Sequence, residues 1–213
     1  LQPGKTYALV GPTGGGKTTT ASLMARLYDP TEGAVLLSGR DIRSYEAQER
    51  TNKIGFILQE PFLFTGTVRD NILYGNEQYQ NYSNQQLETV IKSAGLEALL
   101  ARFDQGLQTV VAATGDGLSL GQKQLIAFIR AVLRHPEVLI LDEATANIDT
   151  VTESLLEDIL KKLPASTARV IIAHRLNTIA NADEIYFVNA GDVIKAGSME
   201  HAVNMLLHDK RES

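Results

Sequence analysis

The sequence has no cysteine and no tryptophan among its 213 residues. Without cysteine there can be no disulfide, no thiolate catalysis and no cysteine–zinc site, and a reducing compartment is compatible with the composition. No apolar run approaches the roughly 18 residues that a membrane-spanning helix needs, and there is no signal-peptide pattern. An excess of basic charge is lacking too. The net charge is −5, which argues against a general nucleic-acid binder, so we expect no nucleic-acid partner.

What is present is an ordinary globular composition, with 44% hydrophobic and 21% charged residues. The length suits one domain, or one domain with an inserted subdomain. The chain enters its first apolar strand pattern almost at once, which suggests a domain excised from a longer protein.

Strand and helix patterns alternate along the chain, which predicts an α/β fold with a mostly parallel sheet covered on both faces. Strands are expected at 6–10, 34–37, 54–58, 138–141 and 169–173, and a small β element at 185–188 and 193–195. From residue 67 to about 133, between the strands at 54–58 and 138–141, the pattern is mostly helical. We therefore predict a core made of 1–66 and 136–213, with an inserted α-helical subdomain at about 67–135.

The most informative stretch runs from Gly11 to Thr18 and fits G-x-x-x-x-G-K-[ST], the phosphate-binding loop called Walker A. A strand precedes it, and a helix pattern with Leu23, Met24 and Leu27 on one face follows. Glycines let backbone N–H groups surround an anion, and the helix N-terminus adds positive potential. The alternative is a glycine-rich turn that happens to precede a lysine. The predicted ATP-binding residues are Gly11, Pro12, Thr13, Gly14, Gly15, Gly16, Lys17, Thr18 and Thr19.

A second motif begins with the apolar strand 138–141 and ends in Asp142 and Glu143, the Walker B pattern. Asp142 is placed to hold Mg²⁺ opposite the Thr18 hydroxyl, and Glu143 to activate the attacking water as general base. Two acids after a strand are common in loops, so the pattern gains its meaning from the upstream phosphate-binding loop.

A third stretch, Leu118-Ser119-Leu120-Gly121-Gln122, opens a helix. Ser119 suits the N-cap, and Gln122 three residues later completes a capping box. One interpretation is simply a well-capped helix. The other is a second anion site at the helix N-terminus, and the stretch alone favours the first.

These motifs, in this order, resemble those of ATP-binding-cassette (ABC) ATPases. Three further residues belong to the same pattern: Gln59 after a strand, Asp149, and His174 after a later strand. The stretch 59–72 and Ala173-His174-Arg175-Leu176 look like the nucleotide-binding domain of an exporter, and the resemblance covers about 1–207. It implies a P-loop NTPase fold, ATP and Mg²⁺ as cofactors, and an ATPase at the cytoplasmic face of the cell membrane. It also implies transmembrane domains in the same full-length chain.

The resemblance also assigns roles to single residues. Gln59 would contact Mg²⁺ or the water, so the predicted metal site is Thr18, Gln59 and Asp142. His174 would bond the γ-phosphate, completing a predicted catalytic set of Glu143, His174, Lys17 and Gln59. The residues expected to act on the ATP of a second nucleotide-binding domain are Ser119, Leu120, Gly121, Gln122 and Asp149.

Three features depart from the family pattern. Ala112 and Ala113 stand where exporters usually have Gly-Glu, and the resemblance assigns the missing acid to contact with the membrane domain. Leu120 stands where glycine is usual, which resembles heterodimeric exporters with one weakened ATP site; a heterodimer is therefore expected, with a homodimer as the alternative. The usual adenine-stacking aromatic lies upstream of the loop, and Tyr7, inside a predicted strand, is a poor substitute. Base stacking is worth about 1–3 kcal/mol, so we expect these 213 residues to bind nucleotide weakly.

Two other functions are open at this point. One is a soluble ABC ATPase acting on DNA or ribosomes. DNA-repair members of the family carry a long coiled coil between Walker A and the signature stretch, and here Lys17 and Ser119 are only 102 positions apart, which leaves no room for one. A non-hydrolysing nucleotide sensor that only dimerises is disfavoured by Glu143 and His174.

Overall fold

The computed structural model describes residues 1–112, 117–142, 149–172, 179–197, 200–201 and 204. Its main sheet has six strands in the order β10-β9-β1-β8-β7-β4. The strands are β1 (Thr6–Val10), β4 (Ile54–Ile57), β7 (Val138–Asp142), β8 (Ala168–Ile172), β9 (Glu184–Asn189) and β10 (Asp192–Lys195). Within this sheet, pairs β1–β8, β1–β9 and β7–β8 are parallel. Of the main-sheet pairs whose register is defined for the described residues, only β10–β9 is antiparallel. The predicted α/β class with a mostly parallel sheet is confirmed.

The described residues divide into two compact units. The first, called the core unit here, draws on Leu1–Phe56, Glu137–Glu143 and Pro164–Ser213; the second, called the helical unit, draws on Ile57–Pro136 and Ala144–Leu163. The subdomain boundaries expected from the sequence, 67 and 135, stay a prediction.

The core unit also holds helices α1 (Lys17–Met24) and α2 (Ala47–Lys53) and the short hairpin of β2 (Leu36–Leu37) and β3 (Arg40–Asp41). One apolar cluster joins β1, β7 and β8 to α1 through Leu9, Ile140, Val170 and Ala21, each 2% exposed or less. Strands rich in Val, Ile and Leu are expected when both faces of a sheet are covered.

The sequence-based interpretation of the α1 face was wrong at Leu27. The helix ends at Met24, and Leu27 lies beyond it with 52% of its surface exposed. The buried side chains of α1 are Lys17, Ala21 and Ser22. The fully buried face of α1 therefore carries Ala21 and Ser22 instead of a leucine stripe.

The helical unit contains α3 (Val68–Leu73), α4 (Asn84–Ser93), α5 (Glu97–Leu100), α6 (Leu120–Val132) and α7 (Thr150–Lys162), and a two-stranded sheet of β5 (Gly66–Thr67) and β6 (Val110–Val111). Helix α6 is its centre, since Leu125, Ile126, Phe128 and Ile129 are all at most 2% exposed. The sequence pattern also predicts a short helix near 176–180 and an amphipathic helix at the C-terminus, and both fall largely outside the described residues. No helix within the described parts of the chain has both the length and the apolar character that crossing a membrane requires.

Candidate nucleotide-binding site

The phosphate-binding loop leaves the carboxyl end of β1 and leads directly into α1. Gly11 follows Val10, and α1 starts at Lys17 with Gly16 as its N-cap. Two glycines lie close to the neighbouring strand β9. A Cβ on Gly11 would overlap the backbone carbonyl oxygen of Val188, and a Cβ on Gly15 would lie 2.7 Å from the same atom. Gly11 also has a φ of +149°, which L residues with side chains rarely adopt. The loop therefore needs glycine at both positions to lie this close to β9.

Lys17 is buried although it carries a charge. Its ammonium donates hydrogen bonds to the carbonyl oxygens of Gly11 at 2.9 Å and Pro12 at 2.8 Å. The long side chain thus folds back over the loop, and its cation lies where the loop's backbone curves around it. A lysine held in this way supplies a point charge to an anion bound by the loop.

Thr18 and Asp142 meet because of the register of the sheet. Leu9 of β1 pairs with Ile172 of β8, and Ile172 pairs with Asp142 of β7, so the strands end at one edge. The Thr18 hydroxyl donates to the Asp142 carboxylate at 3.4 Å, and Asp142 is buried. A hydroxyl and a buried carboxylate side by side are oxygen ligands of the kind that Mg²⁺ takes beside phosphate.

The residues present fit a nucleotide phosphate and its metal. The first intrahelical hydrogen bond of α1 runs from the Thr20 amide to the Gly16 carbonyl at 2.8 Å. An α-helix leaves its earliest amides outside its own ladder, so the start of α1 directs N–H donors toward the loop. Thr13, Gly14, Thr18 and Thr19 are exposed at this end of the helix, whereas Gly15 is buried. Donor amides, a buried cation and an oxygen pair together suit a magnesium phosphate group.

The signature stretch forms the predicted capped helix start in the helical unit. Ser119 accepts from the Gln122 amide at 3.1 Å, and the Gln122 side chain accepts from the Ser119 amide at 3.0 Å. The capping box is therefore confirmed, while the anion site at the same place stays a prediction. Leu120 is the first residue of α6 and is half-buried, and Gly121 is buried.

Asp149 caps the neighbouring helix α7. Its carboxylate accepts from the Thr152 amide at 3.0 Å and from the Thr152 hydroxyl at 2.6 Å. These bonds from Thr152, with a smaller contribution from the charge of Arg102, lower the pKa of Asp149 below its ordinary value. The carboxylate is therefore ionised at neutral pH.

Asp149 and the signature residues line one cleft of the helical unit, with a volume of about 250 Å³. Its lining residues are Arg102, Ser119, Gly121, Gln122, Leu125, Asp149 and Thr152. The Nε2 of the Gln122 side chain also donates to the Arg102 carbonyl oxygen at 3.1 Å. Four of the five residues predicted to act on a partner's ATP, namely Ser119, Gly121, Gln122 and Asp149, line this cleft, whereas the fifth, Leu120, is not among its lining residues. Their common function stays a prediction.

Gln59 follows β4 and is exposed, and its carbonyl oxygen accepts a hydrogen bond from Gln124 of α6 at 2.8 Å. Glu143 and His174, the predicted base and γ-phosphate residue, lie outside the described residues.

Three residues of these clusters were missed from the sequence. Thr152 had an indirect signal, since Asp149 is a favoured N-cap residue, and the side chain of an N-cap residue accepts from a backbone amide two or three residues later. Gln124 also had one, as a polar residue within an apolar helix face. Arg102 had none, because only the folded chain brings it to the cleft.

Comparison with known proteins gives one consistent result. A family model described as "ABC transporter" matches residues 1–146. The chain is 46% identical over 200 residues to "Uncharacterized ABC transporter ATP-binding protein YfiC" of Bacillus subtilis, covering 94% of this chain and 33% of that protein. It is 41% identical over 204 residues to "Multidrug resistance protein 1" of Entamoeba histolytica, covering 96% of this chain and 16% of that protein.

A solved structure of a bacterial Atm1-family ABC exporter with ATP bound matches with a TM-score of 0.80 and 34% identity. The match covers 97% of this chain and 35% of that one. The chain thus spans about a third or less of the length of these relatives.

Proposed function

The chain belongs to the ABC transporter family and is an ATP-binding, ATP-hydrolysing domain, and on that premise we propose that it powers an exporter. The export reading is favoured because relatives named as a multidrug resistance protein and an exporter match nearly the whole of this chain. The location that follows is the cytoplasmic face of the cell membrane, with transmembrane domains in the full-length protein.

One observation carries the proposal most directly. The buried Lys17 ammonium lies on the phosphate-binding loop, and the next residue, Thr18, donates to Asp142 at the end of β7. This arrangement supports the proposal, because within one unit Lys17 would offer a cation to phosphate, and Thr18 and Asp142 would offer two oxygen ligands to Mg²⁺. When bound, Mg²⁺ neutralises charge on the phosphates of ATP and orients them.

We assign the remaining roles by the family motifs. Lys17 stabilises charge on the β- and γ-phosphates, and Glu143 takes a proton from the attacking water. Gln59 serves Mg²⁺ or that water, and His174 donates to the γ-phosphate. These four residues form the proposed catalytic set.

The cleft lined by Ser119, Gly121, Gln122 and Asp149 is proposed to serve the ATP of a second nucleotide-binding domain. Two facts support this. The start of α6 is a helix N-terminus with a glycine in its first turn, and the signature residues lie in the helical unit, whereas Lys17 and Asp142 lie in the core unit. Two domains would then enclose two ATP molecules, and hydrolysis would reopen the pair.

A dimer-trapping experiment tests this sandwich. Glu143→Gln keeps the side-chain shape but removes the base, so we expect Mg-ATP to accumulate a dimer of this domain with its partner nucleotide-binding domain, which the unaltered pair forms only transiently. Light scattering after size exclusion measures it. Ser119→Arg, which fills the cleft, should abolish the trapped dimer. A dimer that forms equally well with Ser119→Arg would contradict the sandwich.

The partner is proposed to be a different chain, because Leu120 replaces the glycine usual at this position of the signature. Glycine allows close backbone approach to phosphate, and a leucine side chain at the first position of α6 narrows that approach. The partner's ATP site would then be the weakened one. Purification of the full-length protein as an active homodimer would overturn this pairing.

A further inference from the structure

Gln124 is an amide in the buried face of α6 that none of the proposed functions uses. Its side chain is 1% exposed, and its Nε2 donates to the Gln59 carbonyl oxygen at 2.8 Å. Its Oε1 is buried and has no hydrogen-bond partner among the described residues. Burying an acceptor without a partner is unfavourable, so stability alone does not account for glutamine here.

We propose that Gln124 is a positioning residue, which holds the backbone of Gln59 to the helix that begins with the signature stretch. The proposal rests on the proposed role of Gln59 in ATP hydrolysis. Fixing a residue's carbonyl fixes the plane of its following peptide and limits where its side chain can reach. A catalytic group displaced by about 1 Å can lose on the order of 100-fold in rate, so this restraint matters to turnover.

The position of Gln124 on α6 links two parts of the site. It lies five residues after Ser119, about 7.5 Å along a helix axis. A helix moves as a rigid element, so a shift of α6 when its N-terminus binds would be passed to the Gln59 backbone. In the proposed sandwich, Ser119 at the start of α6 serves the partner's ATP, whereas Gln59 serves the ATP bound to its own chain.

A second contact secures the same segment farther along α6. The Arg130 guanidinium donates to the backbone oxygens of Asn71 at 2.6 Å and Phe62 at 3.3 Å, and to the Asn71 side chain at 3.2 Å. The segment that follows Gln59 is therefore tied to α6 at more than one point. Of these hydrogen bonds, the one from Gln124 is made to Gln59 itself.

The chain offers a matched control in Asn76. This amide is also fully buried, donates to the backbone oxygens of Ile72 at 2.7 Å and Arg130 at 3.0 Å, and leaves its Oδ1 without a partner among the described residues. It belongs to the helical unit as well. Its replacement therefore reproduces the loss of a buried amide without touching the bond to Gln59.

The test compares Gln124→Met with Asn76→Leu in the protein with its native flanking sequences. Methionine keeps the length and helix propensity of glutamine without a donor. We expect Gln124→Met to lower kcat about tenfold and to change the KM for ATP less than about twofold. Asn76→Leu should leave kcat within about twofold at a similar loss of thermal stability. Unchanged kcat in Gln124→Met, or equal kcat losses in both variants, would overturn the proposal.

A double-mutant cycle separates this proposal from the function on which it rests. If Gln124 acts through Gln59, the Gln59→Ala variant and the double variant Gln59→Ala/Gln124→Met should turn over ATP at the same rate. Multiplicative losses, with Gln59→Ala itself impaired, would overturn the positioning role alone. Full turnover in Gln59→Ala would instead overturn the proposed role of Gln59, and the positioning role with it.

Discussion

Individual residues of the phosphate-binding loop are constrained by the strand beside them. Gly11 and Gly15 both lie against the Val188 carbonyl oxygen of β9, whereas a Cβ on Gly14 would meet no atom within 4 Å. All three are glycines of one motif, but only Gly11 and Gly15 have surroundings that leave no room for a side chain.

Gly11→Ala should therefore be much more damaging than Gly14→Ala. At Gly14, with a φ of +80°, the cost is that of a left-handed backbone, about 1–2 kcal/mol. At Gly11 the clash with Val188 adds to the backbone cost and forces the loop away from β9. We expect ATP affinity, measured by titration calorimetry, to fall at least tenfold more in Gly11→Ala. Similar affinities in the two variants would contradict the described packing of the loop.

A carboxylate at the start of β9 gives a pH prediction. Hydrogen bonds from Lys195, Lys5 and Tyr186 lower the pKa of Glu184 from 4.5 to about 2. The pKa of Glu184 is lower in the folded chain than in the unfolded chain. Its ionised carboxylate therefore stabilises the folded state fully above pH 4.5, and this stabilisation is lost as the pH falls toward 2.

The Glu184→Gln variant should therefore lose stability at neutral pH and lose less further stability on acidification than the unaltered chain. Urea unfolding midpoints at pH 7 and pH 3 measure this. Parallel pH dependence in the two proteins would show that Glu184 has no part in acid sensitivity.

At the scale of elements, helix α6 organises the helical unit. Its N-terminus is closed by the Ser119–Gln122 capping box, its apolar face is buried, and Gln124 and Arg130 bind the segment that follows β4. Leu120, the first residue after the cap, is where the family pattern and this chain differ.

Leu120→Gly should move stability and activity in opposite directions. Glycine in a helix costs up to about 1 kcal/mol relative to a good helix former, so the unfolding midpoint should fall. The same change opens the backbone toward phosphate, so ATP turnover by the assembled transporter should rise. Steady-state ATPase assays beside thermal denaturation test both. A loss in both properties would remove Leu120 as the cause of a weakened site.

The elements also show which parts of the structure can be predicted from the sequence. Strand β1 and the α6 cap follow from local patterns, an apolar run before glycine and an S-x-x-Q box, and both were predicted. The α1 face was not, because Leu27 keeps the four-residue spacing from Leu23 that a helix would have, although the helix ends at Met24. The bond between Gln124 and Gln59 joins residues 65 positions apart, and no local pattern encodes it. The parallel register that places Asp142 beside Thr18 was anticipated only as a pairing of motifs.

At the scale of the whole molecule, the proposed chemistry is divided between the two units. Lys17, Thr18 and Asp142 belong to the core unit, and the signature cleft, Gln59 and Gln124 belong to the helical unit. If each cleft serves a partner's ATP, no single chain holds a complete site, and activity depends on assembly.

The most direct measurement is Mg²⁺-dependent ATP turnover by the full-length protein and its Lys17→Met and Glu143→Gln variants. Lys17→Met removes the buried cation and should lose both tight ATP binding and turnover, by on the order of 100-fold. Glu143→Gln should bind ATP normally and turn over at a similarly reduced rate. Turnover in both variants at the rate of the unaltered protein would contradict the assignment of this loop and its base as the hydrolytic site.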